Sequence, residues 1–247
     1  MSSKENLQIF GTRAIIEAVE AGEEVDKVFL QRGVSNPLTQ ELTTLIRKKG
    51  IPVSFVPVEK LNKLTPNNHQ GAVATISPIP FHNFEALVER ILEKEEVPLL
   101  LLLDGLSDVR NFGAIIRTAA CTGVHAIIIP KKGGAPVNAD TVKTSAGAAF
   151  KVPITKVDHL KDAIYYLQGS GVQIVAATEK SNTLLYHTDL TKPTAIVMGS
   201  EQHGVSSGLL KLADHSVKLP MTEAIASLNV SVACGAFLYE IVRQRLD

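Results

Sequence analysis

The sequence predicts an α/β protein whose larger, C-terminal part is built on a mainly parallel sheet. Two strand-length runs, LLLLL (99–103) and AIIIP (126–130), carry no polar residue. A strand of that kind is covered on both faces, the condition of a parallel sheet flanked by helices. From residue 97 onward such runs alternate with helical patterns, the order of repeated βα units. Ahead of them, shorter helix and strand signals alternate in a smaller α/β part.

In that first part, Thr12 is placed to cap a helix whose apolar stripe is Ala14, Ile15, Ala18 and Val19, stopped by Gly22. VDKVFL (25–30) reads as a strand. Asn36-Pro37 opens a second helix with Leu38, Leu42, Leu45 and Ile46 on one face. Its basic last turn, Arg47-Lys48-Lys49, suits the negative end of the helix dipole and is followed by Gly50. Strands at VSFV (53–56) and GAVATI (71–76) complete a unit expected over 1–77. Residues 78–96, with Pro78, Pro80 and Pro98 at their borders, read as a linker holding one amphipathic helix (Phe84, Leu87, Val88, Ile91). The second unit, 97–247, is expected to carry strands near 99–103, 125–129, 172–178, 194–198 and 216–219. Its helices are expected near 112–122, 158–168, 205–213 and 228–245.

The chain of 247 residues has length enough for one or two domains. No apolar run approaches the roughly 20 residues of a membrane span, and the opening MSSKENLQIFGTR lacks a signal-peptide core, so a cytoplasmic protein is expected. Formal net charge is +0, and any nucleic-acid partner must meet basic groups gathered on one face. Cys121 and Cys234 lie in apolar helical contexts and read as two reduced core thiols. No zinc-ligand spacing or nucleophile elbow is present, and no metal is expected.

Three segments carry the chemistry, each following an apolar strand-type run, where α/β sheets expose their ligand sites. In LLLLLDGLSDVRNFGAIIRTA (99–119), Asp104 ends the strand, Asn111 can cap the next helix, and Gly113 permits close backbone approach. Arg117 follows among small and apolar neighbours. It is either an ordinary surface arginine or a permanently charged grip for phosphate. In IVMGSEQHGVS (196–206), Gly199 and Gly204 have phosphate-loop spacing, but Val205 stands where the lysine would be, which argues against a nucleoside triphosphatase. Glu201 is the functional candidate there, its plain alternative being a carboxylate near a helix start. In KLPMTEAIASLNVSVACGAF (218–237), Met221-Thr222-Glu223 precede Ser227-Leu228-Asn229 at the start of a helix of small residues, with Ser227 a possible cap. No G-x-G-x-x-G follows the early strands, so a dinucleotide-binding oxidoreductase lacks support.

In this order and spacing, NFGAIIRTA, MGSEQHGVS and LPMTEAIASLNVSVA resemble the three motifs of the SpoU (TrmH-like) ribose 2′-O-methyltransferases of the SPOUT superfamily. The first part, notably IFGTRAIIEAV and NHQGAVATI (68–76), resembles the substrate-binding domain of the RlmB-like branch, a fold akin to ribosomal-protein-like domains. The resemblance implies a C-terminal trefoil-knot domain that binds S-adenosylmethionine and dimerises. It also implies methylation of RNA, with a guanosine of large-subunit (23S) ribosomal RNA ahead of transfer RNA as the target. The alternative is a non-catalytic RNA-binding or ribosome-assembly protein on the same fold. By motif position, Gly199, Leu219, Leu228, Thr178 and Met221 are expected at the cofactor. Asn111, Arg117, Glu201, Ser227 and Asn229 fall on catalytic and substrate-orienting positions. Arg13, Arg47, Lys48 and Lys49 are expected to contact RNA phosphates.

Overall fold

A computed structural model describes residues 8–222 and 227–246. The described chain divides into two compact units. One contains the residues up to Pro80 with Pro136–Ala139, the other Phe81–Ala135 with the chain from Asp140 on.

The smaller unit runs β1 (Gln8–Phe10), α1 (Thr12–Glu20), β2 (Val25–Gln31), α2 (Pro37–Lys48), β3 (Val53–Val56), α3 (Val58–Leu64) and β4 (Ala72–Ile76). Its sheet order is β1-β4-β2-β3, with β2 and β3 parallel and the other pairs antiparallel. The apolar stripes of α1 and α2 meet one sheet face, where Ile15, Ile16, Val28, Leu30, Leu42 and Ile46 are buried. Helix α2 starts as the sequence reads: Asn36 accepts from the Thr39 backbone N–H at 2.8 Å, and Pro37 holds the first helical position. Helix α1 does not, because Gly11, at φ 93°, occupies the cap position and Thr12 is buried inside the helix. Arg13 is exposed and lies 3.8 Å from Glu41, while Arg47, Lys48 and Lys49 are exposed at the end of α2.

The larger unit runs α4 (Phe84–Leu92), β5 (Leu99–Leu103), α5 (Val109–Cys121), β6 (Ala126–Pro130), α6 (Ala139–Thr144), β7 (Ile154–Val157), α7 (Leu160–Gly169), β8 (Gln173–Ala177), β9 (Thr194–Met198), α8 (Ser207–Leu210), β10 (His215–Val217) and α9 (Val230–Arg245). Its six strands lie in the order β10-β8-β9-β5-β6-β7, every pair parallel. Leu100, Leu102, Ala195 and Val197 share one buried face with Ile164 and Leu167 of α7 and with Phe84, Leu87, Val88 and Ile91 of α4. Helix α4 is therefore a packed layer of this unit, not a linker segment: its four apolar residues are the ones that the amphipathic pattern selects, and a sheet face covers them. Leu99, Leu101 and Leu103 alternate to the opposite face and are equally buried. Helices α5 and α9 pack on one another through small residues, a Cβ on Gly235 lying 3.8 Å from the Thr118 methyl.

Only one of the two cysteines is a core thiol. Cys234 is buried, which pushes its thiol up to about 12, whereas Cys121, the last residue of α5, is exposed. At the far end of α9, Arg245 donates to four carbonyls, those of Val97 (2.8 Å), Pro98 (3.1 Å), Leu190 (3.1 Å) and Lys192 (2.7 Å). These carbonyls lie just ahead of β5 and β9, so one guanidinium fastens the helix to the starts of the two central strands. Among the described residues, no helix is long and apolar enough to cross a membrane.

Candidate functional site

The site grows from the C-terminal ends of β5 and β9, neighbours whose registered pairs run from Leu99↔Thr194 to Leu103↔Met198. Both strands end at the same height, so the segments leaving them, 104–111 and 199–206, emerge side by side. The ladder continues one bond further, the Asp104 N–H donating to the Met198 carbonyl at 2.8 Å.

After β9 the chain makes a tight loop. Ser200 and Gly204 exchange backbone hydrogen bonds (3.2 and 2.9 Å), and the Ser200 hydroxyl accepts from the His203 N–H at 3.2 Å. Glu201, Gln202 and His203 project at its tip, all exposed. Gly199 is required by close approach: a Cβ there would overlap the backbone of Gly204 and Val205. Gly113 is required likewise, because a Cβ on it would meet the Thr144 side chain and lie 3.0 Å from the Ser145 nitrogen. Only this second approach has a counterpart in the sequence reading; the glycine spacing around Gly199 looks like a phosphate loop but serves a hairpin-like turn.

Helix α5 is capped by Asp108, whose carboxylate accepts from the Arg110 and Asn111 N–H groups at 2.6 and 3.2 Å. Asn111 is thus not the cap, and its side chain bonds elsewhere. Its Nδ2 donates to Glu201 Oε1 at 2.8 Å, and its Oδ1 accepts from Asn229 Nδ2 at 3.1 Å. Asn229 is the cap of α9, its Oδ1 accepting from the Ser231 N–H (2.9 Å), the Val232 N–H (3.4 Å) and the Ser231 hydroxyl (2.6 Å). Ser227 therefore does not cap this helix. Each amide orientation is fixed by the next group: the cap requires the Asn229 oxygen, which turns its NH₂ toward Asn111, whose own NH₂ is turned to the carboxylate.

The two ends of this chain, Glu201 and Asn229, line a cavity of about 540 Å³, within the range of small-molecule sites, while Asn111, which joins them, is not in its wall. Gly199, Leu219, Leu228, Thr178 and Met221 all line it, as do Glu201, Ser227 and Asn229. Met221 and Leu228 are 42% and 46% exposed, so apolar surface remains open around it. Lining residues that the sequence reading does not single out include Glu179, Lys180, Lys218 and Phe237, the last two being the ends of the third segment. They come from segments after β8 and β10 and from inside α9, positions that only the strand order brings together. Glu223 lies outside the described residues.

Arg117 is not in the cavity wall. It lies one helical turn beyond Gly113 on α5, exposed, its side chain without a hydrogen bond or ion pair among the described residues.

Known proteins share both units. The SpoU rRNA Methylase family matches residues 98–239, and a second family, RNA 2′-O ribose methyltransferase substrate binding, matches residues 8–82. The 23S rRNA (guanosine-2′-O-)-methyltransferase RlmB of Pseudomonas aeruginosa is 39% identical over 236 residues, 93% of this chain and 95% of that protein. Among solved structures, the SpoU methyltransferase AviRb of Streptomyces viridochromogenes, in complex with the cofactor AdoMet, is 26% identical with a TM-score of 0.61, covering 97% of this chain and 90% of that one. An AdoMet-bound rRNA methyltransferase from Sinorhizobium meliloti is 25% identical with a TM-score of 0.62, covering 98% and 88%.

The loop at Gly199 gives a direct test of the packing. Gly199→Ala should cost about 1–3 kcal/mol, the usual penalty for forcing atoms into filled space, because the obstacle is backbone and cannot rotate away. Urea unfolding measures it. Unchanged stability would mean that the 199–205 loop relaxes without cost.

Proposed function

This chain belongs to the SpoU rRNA methylase family, and from that premise we propose that it transfers a methyl group from S-adenosylmethionine to a ribose 2′-oxygen of RNA, a guanosine of large-subunit (23S) ribosomal RNA. The observation that carries the reading is the hydrogen-bonded sequence Asn229–Asn111–Glu201, whose two ends line a cofactor-sized cavity. One relative that shares both parts of this chain bears the name of a 23S rRNA (guanosine-2′-O-)-methyltransferase, which favours that target.

The cavity fits the cofactor in its chemistry: open apolar side chains at Met221 and Leu228 for a nucleoside face, and close backbone at Gly199. We assign Gly199, Leu219, Leu228, Thr178 and Met221 to holding it. When bound, S-adenosylmethionine supplies an electrophilic methyl group on a sulfonium, so the protein's task is orientation rather than covalent catalysis. Asn111 keeps a second N–H, and Glu201 a second carboxylate oxygen, beyond the bonds that fix them; these groups meet the ribose and its neighbours. Ser227 on the cavity wall adds a hydroxyl to the same rim.

Arg117 stays protonated and is not a base. Its charge stabilises the developing alkoxide and the adjacent phosphate, and the proton leaves to phosphate or water. Its position outside the cavity wall agrees with a group that meets RNA rather than cofactor. On the smaller unit, Arg13, Arg47, Lys48 and Lys49 supply phosphate contacts. Exposed Val232 (57%) and Tyr239 (56%) on α9 give a homodimer an apolar contact through this helix.

Wild-type protein incubated with 23S transcript, transfer RNA and labelled cofactor should methylate the 23S transcript at a guanosine 2′-oxygen. In the same assay, Arg117→Ala should lose about 10²–10³-fold in rate while cofactor affinity stays near wild type. Near-normal turnover would remove Arg117 from the mechanism, and methylation confined to transfer RNA would replace the target. Converting Arg47, Lys48 and Lys49 together to Ala should weaken RNA binding and flatten its salt dependence, by roughly 0.7 in log–log slope for each phosphate no longer neutralised. An unchanged slope would place the RNA on other basic groups. Light scattering should give twice the chain mass, falling to one chain on Val232→Glu with Tyr239→Glu; a monomeric wild type would refute the dimer.

A further inference from the structure

The geometry points to Asp104 as a positioning residue that sets the place of Glu201 by gripping both legs of the loop that bears it. Resting on the methyltransferase reading, the inference adds a residue that acts from below the reactive rim.

The loop between β9 and α8 leaves the sheet at Met198 and returns at Ser206. The Asp104 N–H binds the first leg through the Met198 carbonyl at 2.8 Å. Its carboxylate Oδ2 binds the second, accepting from the Ser206 N–H at 2.7 Å across 102 residues of sequence. The next residue, Gly105, at φ 71°, turns the chain away so closely that a Cβ on it would lie 3.8 Å from the Ser200 Cβ. At the start of α5, Asn111 reaches the tip of the same loop at Glu201. The segment after β5 thus holds the loop at its base and at its tip, while the Ser200–Gly204 hydrogen bonds keep the span between them rigid.

A small change at the base is carried to the tip. The loop is crosslinked within itself and its apex residues are exposed, so the height of Glu201 above the sheet rests on the two legs and on Asn111. Without the carboxylate, the Ser206 N–H loses its partner, the returning leg is free to lift, and Glu201 either draws Asn111 out of place or parts from it. Both outcomes disturb orientation at the reacting centre, where a misplacement of about 1 Å costs on the order of 10²-fold.

The test compares Asp104→Ala with Asp104→Asn in the full chain, reading kcat, KM for RNA, and backbone amide exchange across 200–206. Asp104→Ala is expected to lower kcat by up to about 10²-fold with KM for RNA near wild type, and to speed exchange at Ser206 and through the loop. Asp104→Asn presents an acceptor oxygen in the same place and should retain wild-type kcat and slow exchange. Wild-type kcat in Asp104→Ala, lowered kcat with unchanged loop exchange, or an Asn variant as impaired as the Ala variant would each overturn the assignment. The exchange comparison decides whether Asp104 holds the loop even if the wild-type protein methylates no RNA, a result that would count against the functional reading instead.

Discussion

The parallel pairing of β5 with β9 at the centre of the six-stranded sheet is the constraint from which the site follows. Two strands distant in sequence become immediate neighbours, and their register ends both at one level, so the segments beyond them have to share a small volume. That crowding explains the residue types found there. Side chains are absent where backbone meets backbone or side chain, at Gly199 and Gly113, and short polar groups occur where the segments must be joined, at Asp104 and Asn111.

Helix α9 brings the third component, and its cap illustrates how a local folding signal becomes part of a site. A serine or an aspartate would satisfy the first N–H groups of α9 as well as Asn229 does, but only asparagine has an NH₂ left to donate onward. An aspartate would also set a second negative charge beside the Asn111 oxygen and close to Glu201. Two neutral amides instead transmit orientation without adding charge, so the Asn229–Asn111–Glu201 chain carries a single carboxylate, held at a defined angle by a helix terminus on the other side of the site.

Much of this arrangement is legible in the residues. The limits of β5 coincide with its apolar run because burial on both faces leaves no polar position inside the strand, and β9 departs from this only at its first residue, the buried Thr194. The stripes of α1, α2 and α4 are likewise plain, but periodicity says which face of a helix is apolar, not what covers it, and α4 reads as part of a linker for that reason. Caps are harder to assign where several candidates follow each other: Asp108 and Asn111, like Ser227 and Asn229, compete within a few residues, and the geometry of the preceding turn decides. Cys121 has apolar neighbours in sequence yet sits at the exposed end of its helix. Strand β7 is hidden because ITKV is short and half polar, and its role depends on lying beside β6. The cavity is legible in part: the motif positions select Gly199, Leu219, Leu228, Thr178 and Met221, whereas Glu179 and Lys180 share it only through the order of the strands.

Helix α9 is tied at both ends to opposite ends of the same two strands. Its first turn is bonded through Asn229 to groups beyond the finish of β5 and β9, and its last, through Arg245, to carbonyls ahead of their starts. Its 16 residues make a rod of roughly 24 Å, longer than the roughly 17 Å of the five-residue strands β5 and β9, so it reaches past both of their ends. A rod fixed at both ends can neither slide along its axis nor tilt without breaking one set of bonds. Compliance near the cavity therefore belongs to the loops, and α9 serves as the datum against which they move: substrate enters a frame that keeps its length.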